Sequence, residues 1–258
     1  MQEKEIVSWD SWKKEISILQ AEEQGEEKQS SYISTLLFRG HKCASWKLES
    51  TLERKGIAFP SVSDFSNTIK IAKLAFESYT GNSWSTEFNS EEEPSPPEDY
   101  EFMVYLRHHG FPTPLLDWTK SAYIASFFAF QHPSSESTVA VYSFREFTGQ
   151  SKSSCTSDSK IIGCGSTIRT HKRHYAQQCE YTYCRKNQDS NWFYSGHEEA
   201  LENKSKGQDI IKKYILPSCI RCEALADLDS MNLNAYTLYG SEEGLAEMLA
   251  NRLFKCDY

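Results

Sequence analysis

The sequence predicts an α+β domain, and three observations carry that prediction. The chain has 258 residues, 39% hydrophobic and 13% aromatic, ample for a buried core. Segments of helical and of strand periodicity follow one another irregularly, without the regular βα alternation that a doubly wound sheet requires. No internal repeat and no glycine-rich phosphate loop of either common type is present. The chain divides into an N-terminal helical segment, 1–30, and one larger domain, 31–258.

Apolar residues at Ile6, Val7, Trp9, Trp12, Ile16, Ile18 and Leu19 give residues 5–21 helical spacing in their later part, with Ser8 or Asp10 as the cap. A charged stretch, 22–28, follows. Residues 32–40 read as a strand ending at Gly40. Residues 64–79 read as a helix burying Phe65, Ile69, Ala72, Leu74, Ala75 and Phe76. Asp99 is placed to cap a helix through Phe102, Met103, Tyr105 and Leu106 that stops at Gly110, with Pro112 beyond. Residues 113–118 form a short strand, 121–131 a strongly apolar helix, and 138–144 an alternating strand. The Ser-, Thr-, Lys- and Gly-rich stretch 146–167 reads as a loop. Residues 180–184 make another strand, and 186–208 are too polar to promise core. Residues 210–216 form a strand ended by Pro217. The tail holds helices over about 218–230 and 241–254, with a short strand near 236–239 between them.

No run of 18 apolar residues is present, so no membrane span is expected. The charged N-terminus lacks the apolar stretch of a signal peptide, which points to a cytoplasmic protein. Eight cysteines are too sparse for a disulfide scaffold in a chain this long. Cys219 and Cys222 form one CxxC pair without the second pair a zinc site needs, so no metal is expected. The net charge of −8 argues against coating nucleic acid through overall charge, though not against a local basic groove. Part of the acid is concentrated in 91–99, which reads as a solvated loop.

Three segments carry chemistry. The first is Leu37-Phe38-Arg39-Gly40 with the Trp46-Lys47-Leu48 and Leu52-Glu53-Arg54 that follow. The second runs from Leu106-Arg107-His108-His109-Gly110 through Leu116-Asp117-Trp118-Thr119-Lys120-Ser121 into Ala125. The third is Ala176-Gln177-Gln178-Cys179-Glu180-Tyr181-Thr182. Together they resemble the FRG domain family over roughly residues 32–250, the long second segment being the most specific. The order Arg-Gly at a strand end, Thr-Lys-Ser-Ala before an apolar helix, and Gln-x-Glu opening a strand is similar to the R-S-E class of ADP-ribosyltransferases. That resemblance implies a split β-sheet core with flanking helices and a reaction consuming NAD⁺ without a metal. Cleaving the nicotinamide–ribose bond builds oxocarbenium character, which a carboxylate stabilises.

The resemblance implies these roles. Arg39 meets the diphosphate and ribose, its planar fork suiting phosphate oxygens. Gly40 offers backbone N–H and C=O to the nicotinamide amide, Thr119 stands beside it, and Ser121 adds a hydrogen bond. Trp118 or Tyr123 stacks on the ring. Glu180 is the catalytic carboxylate and Gln178 orients the acceptor, with Glu242, Glu243 and Glu247 as rival carboxylates at a helix start. Arg169, Lys172, Arg173 and Tyr175 precede the Gln-x-Glu segment and suit phosphates and a stacked base.

Blander roles stand beside these. Arg39 suits a structural ion pair, Asp117 a turn former, and His108 and His109 the cations of a helix end. The resemblance extends to bacterial toxins of phage defence, which implies a single-stranded RNA acceptor and an antitoxin or chaperone partner. The acidic loop 91–99 and the N-terminal region are its candidate contact surfaces. A protein acceptor, a non-catalytic nucleotide- or protein-binding module, and last a nuclease are the alternatives.

Overall fold

The computed structural model describes residues 1–27, 34–85, 96–146, 158–165, 168–202 and 209–254. It is a mixed α/β protein: an eight-stranded sheet with helices packed on it. The strands are β1 (Gln2–Glu5), β2 (Leu37–His41), β3 (Leu116–Thr119), β4 (Thr138–Glu146), β5 (Lys160–Gly163), β6 (Cys179–Gln188), β7 (Asn191–Ser195) and β8 (Asp209–Pro217). Their order is β1-β8-β4-β2-β3-β6-β5, with β7 also paired to β6. Only β1 and β8 run parallel.

Pairing strength varies sharply across the sheet. β4 and β8 pair continuously from Thr138↔Pro217 to Glu146↔Asp209. β2 pairs with β4 along its whole length, and β3 pairs with β6 along its own. Between these two blocks, β2 and β3 meet at the single pair Phe38↔Thr119. The sheet is thus two halves joined at a narrow seam.

Helix α1 (Trp9–Glu27), α5 (Ala122–Phe130), α8 (Arg221–Ser230) and α9 (Ala235–Tyr239) cover one face of the first half. There Trp9, Trp12, Phe38, Ala125, Phe127, Val141, Tyr214 and Leu228 are buried together. The N-terminal segment therefore shares the core of the larger domain. Helix α5 is apolar on nearly every side and almost wholly buried, only Tyr123 and Phe128 remaining partly exposed. Ser121 caps it by accepting from Ile124 N–H at 3.3 Å. Gly40 lets it lie against β2: a Cβ there would overlap the Ala125 carbonyl oxygen. Helices α3 (Val62–Thr80) and α4 (Tyr100–His108) pack on the second half, around Phe65, Ile69, Phe102, Met103, Leu106 and Tyr183. The other α-helices among the described residues are the short α2 (Thr51–Arg54), α6 (Lys172–Ala176) and α7 (His197–Glu202), and α10 (Glu242–Phe254).

Several sequence expectations are corrected. The first helix begins at Trp9, after a strand, and runs through the charged stretch to Glu27 because its Glu, Gln and Ala residues are good helix formers. Ser8 rather than Asp10 caps it, accepting from Ser11 N–H at 3.2 Å. In α3, Leu74 is exposed and Ala75 also faces out, whereas Lys73 is buried. Asp99 stands at the N-cap of α4 as expected, at φ 56°, but makes no side-chain cap bond: its buried carboxylate takes Lys73 Nζ at 2.9 Å. The stretch 146–167 contains β5, with Ile161 and Ile162 buried; residues 147–157 and 166–167 lie outside the described residues. The polar stretch 186–208 yields β7 and α7, burying Tyr194, His197 and Ala200; residues 203–208 lie outside the description. The strand expected near 236–239 is helix α9, set by an Asn234–Thr237 capping box and ended by Gly240 at φ 60°. The strand expected over 32–40 begins only at Leu37, and its first two residues, Tyr32 and Ile33, fall outside the described chain, as does 91–95 of the acidic loop.

Candidate functional site

Beyond Phe38↔Thr119, β2 has no strand partner on its β3 side among the described residues, and a cavity of about 320 Å³ opens there. β2 contributes Arg39 and Gly40, β3 contributes Asp117 and Thr119, and the end of α4 contributes Arg107 and His108. Phe128 of α5, Arg173 of α6, Gln177, Cys179 and Tyr239 of α9 complete the wall. A half-polar cleft with a few converging charged groups is the usual form of a small-molecule site.

The charge at this seam is organised around Asp117. Arg39 Nη1 donates to the Asp117 backbone carbonyl at 2.6 Å and to Oδ1 at 2.7 Å, and Arg107 Nη2 donates to the same Oδ1. Burial opposes ionisation of Asp117, but the guanidiniums of Arg107 and Arg39 overcome it and hold its carboxyl well below the usual carboxylate range. Arg54, on α2, lies close enough for Arg39 and Arg107 to repel it. Two guanidiniums thus bind one carboxylate and a third stands near enough to feel their charge, leaving positive potential for an anion. Arg173 adds a fourth: its Nε donates to the Tyr239 carbonyl at 3.2 Å, with Cζ 5.5 Å from the Tyr239 ring centre. The Tyr239 hydroxyl is anchored on Gln131 Oε1 at 2.7 Å, and Gln131 donates to Glu247 at 3.0 Å.

The histidines near the cavity are not helix-end cations. Burial holds His108 down to about 4, so its ring is neutral at pH 7. Its Nε2 lies 2.9 Å from the Tyr181 hydroxyl. His109 is likewise lowered, by burial and then Arg173.

Arg39, Gly40, Trp118, Thr119 and Arg173 are brought together at this cavity. Their detailed positions differ from expectation. Arg39 bridges the seam, with Nη1 on Asp117 and Nε on His41 at 3.0 Å. Trp118 is not free to stack on a ligand: its ring stacks on Phe144 at 5.3 Å, and its indole N–H donates to the buried Thr182 hydroxyl at 2.8 Å. Tyr123 packs against Trp9, away from the cavity wall. Ser121 serves as the α5 cap and Thr119 Oγ1 accepts from its N–H at 3.2 Å.

Glu180 stands between Cys179, which lines the cavity, and Tyr181, which bonds His108. Neighbouring strand residues point to opposite faces, and Glu180 is turned onto Lys120 Nζ at 2.9 Å. Gln178 forms the exposed turn before β6, at φ 50°, and its carbonyl accepts from Lys120 N–H at 3.1 Å. Glu247 bonds Gln131, while Glu242 and Glu243 occupy the first turn of α10. Of the basic segment, Arg169, Lys172 and Tyr175 are exposed and only Arg173 reaches the cavity.

Sequence reasoning missed Arg107, His108, Asp117, Phe128, Gln177, Cys179 and Tyr239 as wall residues. The first three lay within the second chemical segment, where His108 read as a helix-end cation, Asp117 as a turn former, and Arg107 was given no role. Tyr239 carried no local signal, because only the fold brings α9 beside β2. Among the described residues no group of three or more His, Cys, Asp or Glu side chains is placed to hold a metal ion. No helix among them is long and apolar enough to cross a membrane.

Fold and site together define a mixed α/β protein with a cationic cleft at the seam of a divided sheet. Residues 34–138 match the family model of the FRG domain, which supports the FRG family for this chain. The matched segment supplies β2, α4, β3 and α5, hence most of the cavity wall; Arg173, Gln177, Cys179 and Tyr239 come from beyond it. No curated protein and no solved structure matches the chain.

Proposed function

We propose that this protein is an ADP-ribosyltransferase that holds NAD⁺ in the seam cavity, on an ADP-ribosyltransferase-like split sheet. One observation carries the reading: the open edge of β2 at Arg39-Gly40 faces a cleft lined by Arg39, Arg107 and Arg173 together with Phe128 and Tyr239. Such a cleft suits a ligand that is anionic and planar in parts. Arg107 and Arg173 meet the diphosphate, while Arg39 fixes the seam and adds to the potential. The edge of β2 at Gly40 and the Thr119 hydroxyl serve the nicotinamide amide.

The carboxylate at this wall is Asp117, kept ionised by its two arginines and so able to stabilise positive charge at the ribose. Glu180, paired with Lys120, supports the strand end. The exposed Arg169, Lys172 and Tyr175 flank the Arg173 side of the cavity and favour single-stranded RNA as acceptor. A toxin of this kind acts in phage defence and is held in check by an antitoxin or chaperone.

The test is incubation with NAD⁺ labelled in the adenylate phosphate, together with total RNA or protein, following nicotinamide release and the fate of the label. Label is expected on RNA, with transfer reduced at least about 100-fold by Asp117→Asn and by less than about threefold by Glu180→Gln. No binding and no nicotinamide release would sink the reading. Label on protein alone would overturn the acceptor. A second reading, a non-catalytic nucleotide-binding module, is favoured by the occupation of Asp117 Oδ1 by both arginines; NAD⁺ binding without turnover would support it.

A further inference from the structure

Resting on the reading of the cavity as an ADP-ribosyl transfer site, we propose that His108 is the general base that takes the proton from the attacking acceptor, and that Tyr181 and His174 position it and share that proton.

The geometry is a line of three groups leading inward from the cavity. His108 lines the wall, and its Nε2 lies 2.9 Å from the Tyr181 hydroxyl. Tyr181 is fully buried, and its hydroxyl lies 3.4 Å from His174 Nδ1. The buried His174 ring stacks on Tyr181 at 5.8 Å and 15°. Among the described residues His108 Nδ1 has no hydrogen-bond partner, so it is the ring nitrogen left for a ligand.

A neutral imidazole has one donor and one acceptor, and a phenol has one proton to give. The line can therefore be polarised in two directions. In one, Tyr181 donates to His108 Nε2, and His108 presents Nδ1–H. In the other, His108 Nε2–H donates to Tyr181, Tyr181 donates to His174 Nδ1, and His108 presents a bare Nδ1 lone pair to the cavity. The second state is a base. As the acceptor oxygen bonds to the ribose carbon and the nicotinamide bond breaks, its proton moves to His108 Nδ1. The Nε2 proton passes to Tyr181, whose own proton passes to His174. One proton is gained by the line and later lost to solvent, and nicotinamide leaves neutral.

The surroundings keep His108 unprotonated, so its lone pair is free at neutral pH. Asp117 from β3 favours the protonated form, whereas Arg107 on its own helix and His171 and His174 from the α6 segment disfavour it. Burial is the largest influence and keeps the ring unprotonated through the neutral range.

The test compares the full chain with His108→Ala and Tyr181→Phe, measuring NAD⁺ binding and nicotinamide release separately. Expected for His108→Ala are binding within about threefold, kcat lower by about 100- to 1000-fold, and at least tenfold recovery with added imidazole. Tyr181→Phe is expected to fall between the two and to gain nothing from imidazole. A His108→Ala kcat within threefold of the parent, or no imidazole recovery, overturns the proposal. Should the parent release no nicotinamide, the failure belongs to the NAD⁺ reading. The relay is then read by ¹⁵N NMR of His108 in the free protein. A tautomer balance altered by Tyr181→Phe supports it, and identical His108 signals in the two proteins overturn it.

Discussion

The two halves of the sheet on either side of Phe38↔Thr119 solve different problems. The first, β1-β8-β4-β2, is long, continuously paired and covered by α5 with an almost wholly apolar interface. The second, β3-β6-β5 with β7, mixes apolar packing against α3 and α4 with buried polar groups: Lys73, Asp99, His174 and Thr182. The first is a scaffold packed on α5, with buried polar residues of its own on β2, β4 and β8, among them His41, Ser143, Arg145, Glu146 and Asp209. The second is held partly by paired charges and polar contacts, which are costly to bury and are retained where chemistry or specificity needs them. The Phe-Arg-Gly tripeptide sits where they meet. Phe38 enters the apolar core, Gly40 admits α5, and Arg39 ties across to Asp117.

Substitutions that strike each half separate these roles. Gly40→Ala drives a Cβ into the backbone of α5, where no flexible side chain is available to yield. It is expected to cost about 4 kcal/mol or more, or to prevent folding, read by urea unfolding. A loss under about 1 kcal/mol would show that α5 shifts freely on β2. In the second half, Asp99→Ala strands the Lys73 ammonium, whose side chain is 7% exposed. A loss of roughly 3–5 kcal/mol is expected, with partial recovery in a Lys73→Met, Asp99→Ala double variant. No recovery would show that the φ 56° turn at Asp99, rather than the charge pair, sets the cost.

Acid tests the polar face the halves share. Burial, and then Arg39, holds His41 and His197 down to about 3. Unfolded, each takes a proton near pH 6.5 that the folded protein refuses, so stability is full above 6.5 and falls with pH toward 3. The expected slope is about 1.4 kcal/mol per pH unit for each histidine. His197→Gln, which keeps an acceptor for the Thr182 hydroxyl, should remove about half of the slope due to this pair, measured as ΔG of unfolding at pH 6.5 and 5. An unchanged slope would contradict the buried neutral ring. Smallest of all is Glu180→Gln: its partner Lys120 is about one-third exposed, so the expected loss is below about 1 kcal/mol.

What was legible in the sequence follows the same division. The apolar half spoke clearly: the strongly apolar helix at α5, the alternating strand at β4 and the strand ended by Pro217 at β8 appear at their expected places. The edge strands were silent because their signals are polar. β1 is Gln-Glu-Lys-Glu, exposed at every position, and is specified only by its pairing with β8. β5 and β7 lie in Ser-, Lys- and Asn-rich stretches, and only isolated Ile161, Ile162 and Tyr194 mark their buried sides. Of the residues lining the cavity, Arg39, Gly40 and Thr119 were singled out from motif order and Arg173 from a basic stretch assigned to the acceptor. Asp117 was readable as a residue but not as the hub of two arginines, since Arg39 is distant from it in sequence. The aromatic wall was attributed to Trp118 and Tyr123, which pack inward, because periodicity does not tell which face of a strand or helix meets a cleft formed by Tyr239.

The central claim is that the seam cavity binds NAD⁺ and turns it over with Asp117. Its most direct test is nicotinamide release from NAD⁺ by the full chain and by Asp117→Asn, with NAD⁺ binding measured on both by calorimetry. The account expects release by the parent, binding by both within about tenfold, and at least about 100-fold slower release by the variant. Equal release rates, or an absence of NAD⁺ binding to the parent, would contradict it.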